Sequence, residues 1–293
     1  MPETSWAAFG LVSAALTAAM MLMQERMKVE PFALAFWCKA ACVIALFPPV
    51  LFYGLPREPM FYVWIAPTAV IFAIADVMLF RHLPDIGAGV ISRLLPLTVI
   101  AGFFLWFAID PSSIANYAAH PVTSGLIALA LGSAAFFSMR LRKCTVTMKA
   151  VRLLWFVLIA NVTGPLLTKV ATGYAPPLQG GIAYTFVQAL MMIVLWLGYL
   201  FIAKPMPAAA LLKKHAWQRG LLIGAIMAVG VTVYVMSVYF VDNPGYVSAL
   251  RLVNTVIIVA AHRLMGKRDD SDTASGFGIV ASAAALILLK AQL

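Results

Sequence analysis

Apolar residues run along this chain in long uninterrupted stretches, separated by short segments that carry nearly all the polar residues. Crossing about 30 Å of hydrocarbon at 1.5 Å per residue takes about 20 residues of helix. Ten stretches qualify, at roughly 5–23, 31–53, 61–80, 87–108, 122–139, 151–170, 181–203, 218–240, 245–264 and 275–290. Turn chemistry separates them. Gly54-Leu55-Pro56, Leu83-Pro84-Asp85, Asp110-Pro111-Ser112, Ala175-Pro176-Pro177 and Asp242-Asn243-Pro244-Gly245 all disfavour a continuing helix. The first stretch lacks the basic leader of a signal peptide and reads as a retained span.

The two halves resemble each other. At an offset of 149, Trp6 falls on Trp155, Trp37 on Phe186 and Lys39 on Gln188; at an offset of 158, Asp85 falls on Asn243, Gly87 on Gly245 and Arg93 on Arg251. A longer loop before Trp217 absorbs the difference. Five spans per copy is an odd number, so the second copy enters the membrane from the opposite side. The expectation is an all-α membrane protein of ten transmembrane helices, arranged as two inverted five-helix repeats over residues 1–145 and 146–293, with a site near the midplane.

Composition agrees with this layout: 63% of residues are hydrophobic and 11% charged, against about 45–50% and 25% in a soluble domain. The net charge of +10 does not point to nucleic acid, because basic loops between apolar spans are the usual mark of membrane topology. Of the 21 Lys and Arg residues, fifteen flank the loops after the odd-numbered spans, and only Arg57, Lys169 and Lys290 lie near the even ones. By the positive-inside rule the odd loops are cytoplasmic and both termini external, as in a multi-pass protein of a bacterial inner membrane.

Lys39, Arg93 and Arg251 remain, each about seven or eight residues inside a span, with Asp76 as the one carboxylate deep in a span. A charge held at such depth faces a cavity, a partner or a substrate. An Arg fork grips carboxylate or phosphate bidentately. Snorkelling, or a salt bridge to Asp76, is the competing explanation for each Arg. Asp76 admits three roles: a proton-coupling acid, the partner of Arg93 or Lys39, or a site for a substrate amine.

Asn161, Thr163, Gly164 and Pro165 suggest a break in the sixth span, of the kind tolerated where backbone lines a cavity. Gln188, Tyr234, Asn254 and Trp37 complete the candidate substrate-binding set. Interhelical hydrogen bonding is the rival use of such polar groups, and aromatics such as Trp37 more often pack in the core or face lipid. Cys38 and Cys42 read as small packing residues, no metal or cofactor motif occurs, and without HExxH, GxSxG or Walker A patterns an enzyme is not expected.

Leu83-Pro84-Asp85-Ile86-Gly87-Ala88-Gly89-Val90-Ile91-Ser92-Arg93-Leu94-Leu95-Pro96-Leu97 resembles the stretch leading into the fourth helix of EamA-like members of the drug/metabolite transporter superfamily. Asn243-Pro244-Gly245-Tyr246-Val247-Ser248-Ala249-Leu250, with His262-Arg263-Leu264-Met265-Gly266-Lys267, resembles the matching part of the second half. Lys267 stands where such proteins usually carry an acidic residue, and external termini are the less common arrangement. The resemblance implies a secondary transporter similar to exporters of amino acids and other metabolites, with related families exchanging nucleotide sugars or sugar phosphates. The combined expectation is an alternating-access carrier of a small anionic or zwitterionic metabolite, with membrane lipid around it and protons as a candidate coupling ion. A lipid flippase or scramblase with a lateral cationic headgroup groove is the alternative, and a receptor or assembly subunit without transport a third.

Overall fold

The computed structural model describes residues 4–27, 29–86, 88–141, 148–203, 206–266 and 272–293, with side chains except at 83–85, 88–95, 97, 149 and 208. It is all-helical across these residues. The order is α1 (Ser5–Arg26), α2 (Pro31–Tyr53), α3 (Pro59–Ile86), α4 (Ala88–Ile109), α5 (Ser113–Ala119), α6 (Pro121–Arg140), α7 (Met148–Thr172), α8 (Pro177–Ala203), a 3-10 turn (Ala208–Ala210), α9 (Lys214–Phe240), α10 (Gly245–Leu250), α11 (Val253–Leu264) and α12 (Thr273–Lys290). Among the described residues nine helices are long and apolar enough to cross a membrane, the α10–α11 stretch counting as one. The helix formed by α4 makes a tenth segment, turning by 110° into the short α5. This is the make-up of a multi-pass membrane protein. Its exterior agrees, with Ile44, Phe52, Val194, Phe201, Phe277 and Leu288 exposed, a surface suited to lipid rather than water.

Local chemistry sets the element limits. α2, α3, α6 and α8 each begin on a proline, where the missing N–H is no loss and φ is already helical. Glu30 caps α2, its carboxylate accepting from the Ala33 N–H at 2.6 Å, and Gly54 ends that helix at φ 74°, a conformation only glycine adopts without strain. Asp272 caps α12 through the Ala274 N–H; the Ser275 hydroxyl that also binds it holds its carboxyl below the ordinary range. The expected stop at Leu83-Pro84-Asp85 does not occur, since α3 continues to Ile86.

Two further differences concern breaks. The sixth span is not interrupted: α7 is continuous from Met148 to Thr172 with Pro165 inside it. Polar side chains bond back to its own carbonyls, Asn161 Nδ2 to Val157, Thr163 Oγ1 to Ile159 and Thr168 Oγ1 to Gly164. The break lies in the ninth span, where α10 gives way to α11 at Arg251-Leu252. There the backbone tightens to i→i−3 bonds, Leu252 N–H to Ala249, Asn254 to Arg251 and Thr255 to Leu252, a local 3-10 turn of the kind that marks functional hinges.

Successive spans reverse direction. One end gathers the C-terminus of α1 against that of α11, through Glu25 and His262 and through Arg26 and Met265, and joins Leu141 to Asp272. The other joins Tyr53 to Gln179, Lys169 to the Tyr239 carbonyl and Lys290 to Asp242. The main helix contacts form pairs: α1 packs on α9 as α7 packs on α3, α2 on α9 as α8 on α3, and α1 on α10–α11 as α7 on α4. The α2–α8, α4–α10 and α6–α12 contacts are their own counterparts. Close approach is built in at α2–α9, where Gly220 and Gly224, four residues apart, lie directly on Trp37, Cys38 and Ala41. A side chain at either position would collide with α2, as at small-residue crossings in membrane helices.

Candidate functional site

Among the helices lies a cavity of about 220 Å³. Engineered cavities of about 150 Å³ accept benzene, and drug-sized ligands take about 300–1,000 Å³, so this one suits a small metabolite. Side chains of both halves line it. Of the sequence candidates, Lys39, Asp76, Asn161, Gln188, Tyr234, Arg251 and Asn254 all face it.

Lys39 on α2 and Asp76 on α3 form a buried ion pair, Nζ to Oδ2 at 3.2 Å, with side chains 6% and 14% exposed. The contact satisfies charge but not direction: Asp76 Oδ2 is buried and accepts no well-aligned hydrogen bond among the described residues. Of the three roles open to Asp76, the pairing with Lys39 is the one seen.

Arg251 is held differently. It sits at the α10–α11 break, its guanidinium carbon 4.8 Å from the centre of the Tyr234 ring, a cation–π contact that steadies the charge without neutralising it. No carboxylate pairs with it among the described residues. Its sequence counterpart Arg93 lies in α4, but its side chain is outside the described residues.

A hydrogen-bonded cluster braces the cavity wall formed by α3, α7 and α8. Thr68 Oγ1 donates to the Ile65 carbonyl at 2.7 Å and accepts from Tyr184 Oη at 3.1 Å and Gln188 Nε2 at 3.1 Å. Tyr184 also meets Thr168 Oγ1 at 2.8 Å and accepts from Gln188 Nε2 at 3.3 Å. Buried hydrogen-bonded networks of this kind rigidify a wall and fix side-chain orientation.

Trp37 is not part of the lining. Its indole N–H donates to the Leu211 carbonyl at 2.8 Å and its stem rests on Gly220, so it fastens α2 to the segment before α9. Sequence reasoning also passed over α1, which contributes Ser13, Thr17 and Gln24 to the cavity. Their spacing of four and seven residues places them on one helix face, and that stripe in an otherwise apolar span was the readable signal. Gln24 is buried, and its Nε2 has no hydrogen-bond partner among the described residues. Met20, Met21, Met227 and Phe72 supply apolar surface alongside; methionine adapts to irregular shapes. No family model matches this chain, and no curated protein matches it either.

Proposed function

We propose that the protein is a secondary transporter that carries a small anionic or zwitterionic metabolite across the membrane by alternating access. The observation that carries this is the convergence of Lys39 and Asp76 from the first half and Arg251 from the second on one cavity of an otherwise apolar protein. Intramembrane charge is retained where it serves a path or a ligand. A guanidinium with no carboxylate partner among the described residues is ready for a carboxylate or phosphate, which it can bind through two parallel hydrogen bonds.

The reading includes two inverted five-span repeats, supported by the way helix contacts map onto one another when the halves are exchanged. In such a frame the site lies between the halves, and discontinuous helices at the site are a recurring feature; the α10–α11 break beside Arg251 fits that role. It also includes the basic end as cytoplasmic, a proton as the coupling ion, and the likeness to EamA-like carriers.

The test is flux. Purified protein in sealed vesicles moves a water-soluble carboxylate, Arg251→Gln abolishes that movement, and Arg251→Lys weakens it because the charge survives but the fork is lost. Both variants are compared with wild type at matched folded protein. Wild-type rates in Arg251→Gln would remove the anion site, and redistribution of labelled lipid without solute movement would replace the carrier by a flippase.

A further inference from the structure

The cavity's hydrogen-bonding groups are sorted by wall, and the sorting names a substrate class for the carrier proposed above, on which this inference rests. On α3, α7 and α8 most of the donors are already committed. Asn161 gives one amide N–H to the Val157 carbonyl at 2.8 Å, leaving its amide oxygen and a second N–H. Thr68 spends its one hydroxyl hydrogen on Ile65, and Thr168 spends its own on Gly164. The single hydrogen of Tyr184 is therefore directed to these two oxygens. Gln188 must then be the donor to Thr68 and Tyr184, which leaves its amide oxygen for the cavity. Asp76 adds a carboxylate whose Oδ2 lies 3.2 Å from Lys39 Nζ.

On α1 and α10–α11 the opposite holds. Arg251 brings only donors, Gln24 Nε2 is buried and unpartnered among the described residues, and Asn254, whose oxygen already accepts from the Thr255 hydroxyl at 3.0 Å, offers its amide nitrogen and one remaining acceptor position. The Asp76 side is richer in acceptors, its carboxylate neutralised by Lys39 while the cavity is empty; the Arg251 side is richer in donors and carries a positive charge.

We propose that the substrate is a small zwitterion, its anionic group on Arg251 and its cationic group on Asp76, and that Lys39 occupies Asp76 as a tethered stand-in for that cation when the cavity is empty. An incoming ammonium exchanges one cation for another at Asp76, so the carboxylate is never left buried and uncompensated. A simple anion finds Arg251 but meets the acceptor wall with nothing to donate; a simple amine has the reverse mismatch.

The experiment measures binding to the full-length protein by thermal shift, since a ligand of the folded state raises its stability. The probes are ω-amino acids of two to six carbons, the carboxylate and the amine of matching length, and inorganic phosphate. At least one amino acid should bind tenfold or more tighter than both of its singly charged analogues and than phosphate. Asp76→Asn should bring the amino-acid-to-carboxylate ratio near one while carboxylate binding persists. The double variant Lys39→Met with Asp76→Asn, which leaves no uncompensated charge, should do the same. Lys39→Met alone should tighten amino-acid binding by vacating Asp76.

Equal binding of amino acid and carboxylate by wild type at every length, or no shift with any probe, would overturn the inference. So would Lys39→Met weakening carboxylates and amino acids alike, since Lys39 would then be an anion ligand. Carboxylate uptake that needs Arg251 but shows no amino-acid preference would overturn it and leave the carrier reading standing.

Discussion

Lys39 and Asp76 differ from Arg251 in what surrounds them, and that difference makes separate predictions about stability. The ion pair is buried, so truncating one partner strands the other. Asp76→Asn or Lys39→Met alone should cost about 3–5 kcal/mol, whereas the double replacement should be close to neutral. Melting of the four proteins in detergent closes this cycle, and additive losses would show that the two charges do not interact. Arg251 has no such partner among the described residues, so Arg251→Gln should leave the melting temperature near that of wild type while removing transport. Residue chemistry told the sequence reader that these side chains were unusual. Which of them pair was not readable, because residues 39 and 76 meet only through the packing of α2 on α3.

At the level of elements, the α2–α9 crossing is the tightest test of the fold. Gly220 and Gly224 bring α9 onto the backbone of α2, where Cys42 Sγ reaches the Gly224 carbonyl at 3.6 Å. This is the packing role expected of that cysteine. Gly224→Leu should separate the helices and destabilise the protein by about 1–3 kcal/mol or more. Gly198→Leu on α8 should be tolerated, because nothing lies within 4 Å of its added Cβ. Retained folding yield in Gly224→Leu, equal to that of Gly198→Leu, would contradict the crossing. The prolines teach the converse lesson. Those at helix starts were legible as boundaries, but Pro84 and Pro165 were overread as interruptions; in both places the helix continues, and in α7 side-chain hydroxyl and amide groups bond to the helix's own carbonyls. The α10–α11 break carries no glycine or proline at Arg251-Leu252, so no local signal announced it.

For the whole molecule, the gathering of the C-termini of α1, α6 and α11 with the N-terminus of α12 at one end is a property of the fold, while the compartment that end faces is a prediction from charge. A reporter active only outside the cytoplasm, fused after Leu293, should give signal, and one inserted within residues 142–147 should not. The reverse pattern would invert the orientation and leave the helix packing untouched. The same arrangement bears on the proposed mechanism. The end that joins α1 to α11 is held by Glu25–His262, and the other by Lys290–Asp242. A carrier that opens alternately would have to loosen these ends in turn.

What the sequence determined by itself was whatever follows from composition and short-range spacing. Apolar stretches of spanning length fixed the membrane as solvent and a span count close to the nine seen among the described residues, ten if the bent α4–α5 pair is one span, because hydrocarbon thickness and helix rise leave little freedom. Deep charges pointed to Lys39, Asp76 and Arg251 in the cavity lining, because burying them elsewhere in lipid is too unfavourable. Only the tertiary structure decided that Asp76 meets Lys39, that Trp37 braces α2 rather than facing the cavity, that Gln24 enters the site and that the broken helix is the ninth span. Each of these depends on which helices touch and how they are rotated. In a chain whose helices are apolar on nearly every side, the hydrophobic pattern does not fix that rotation; close packing and the pairing of polar groups do.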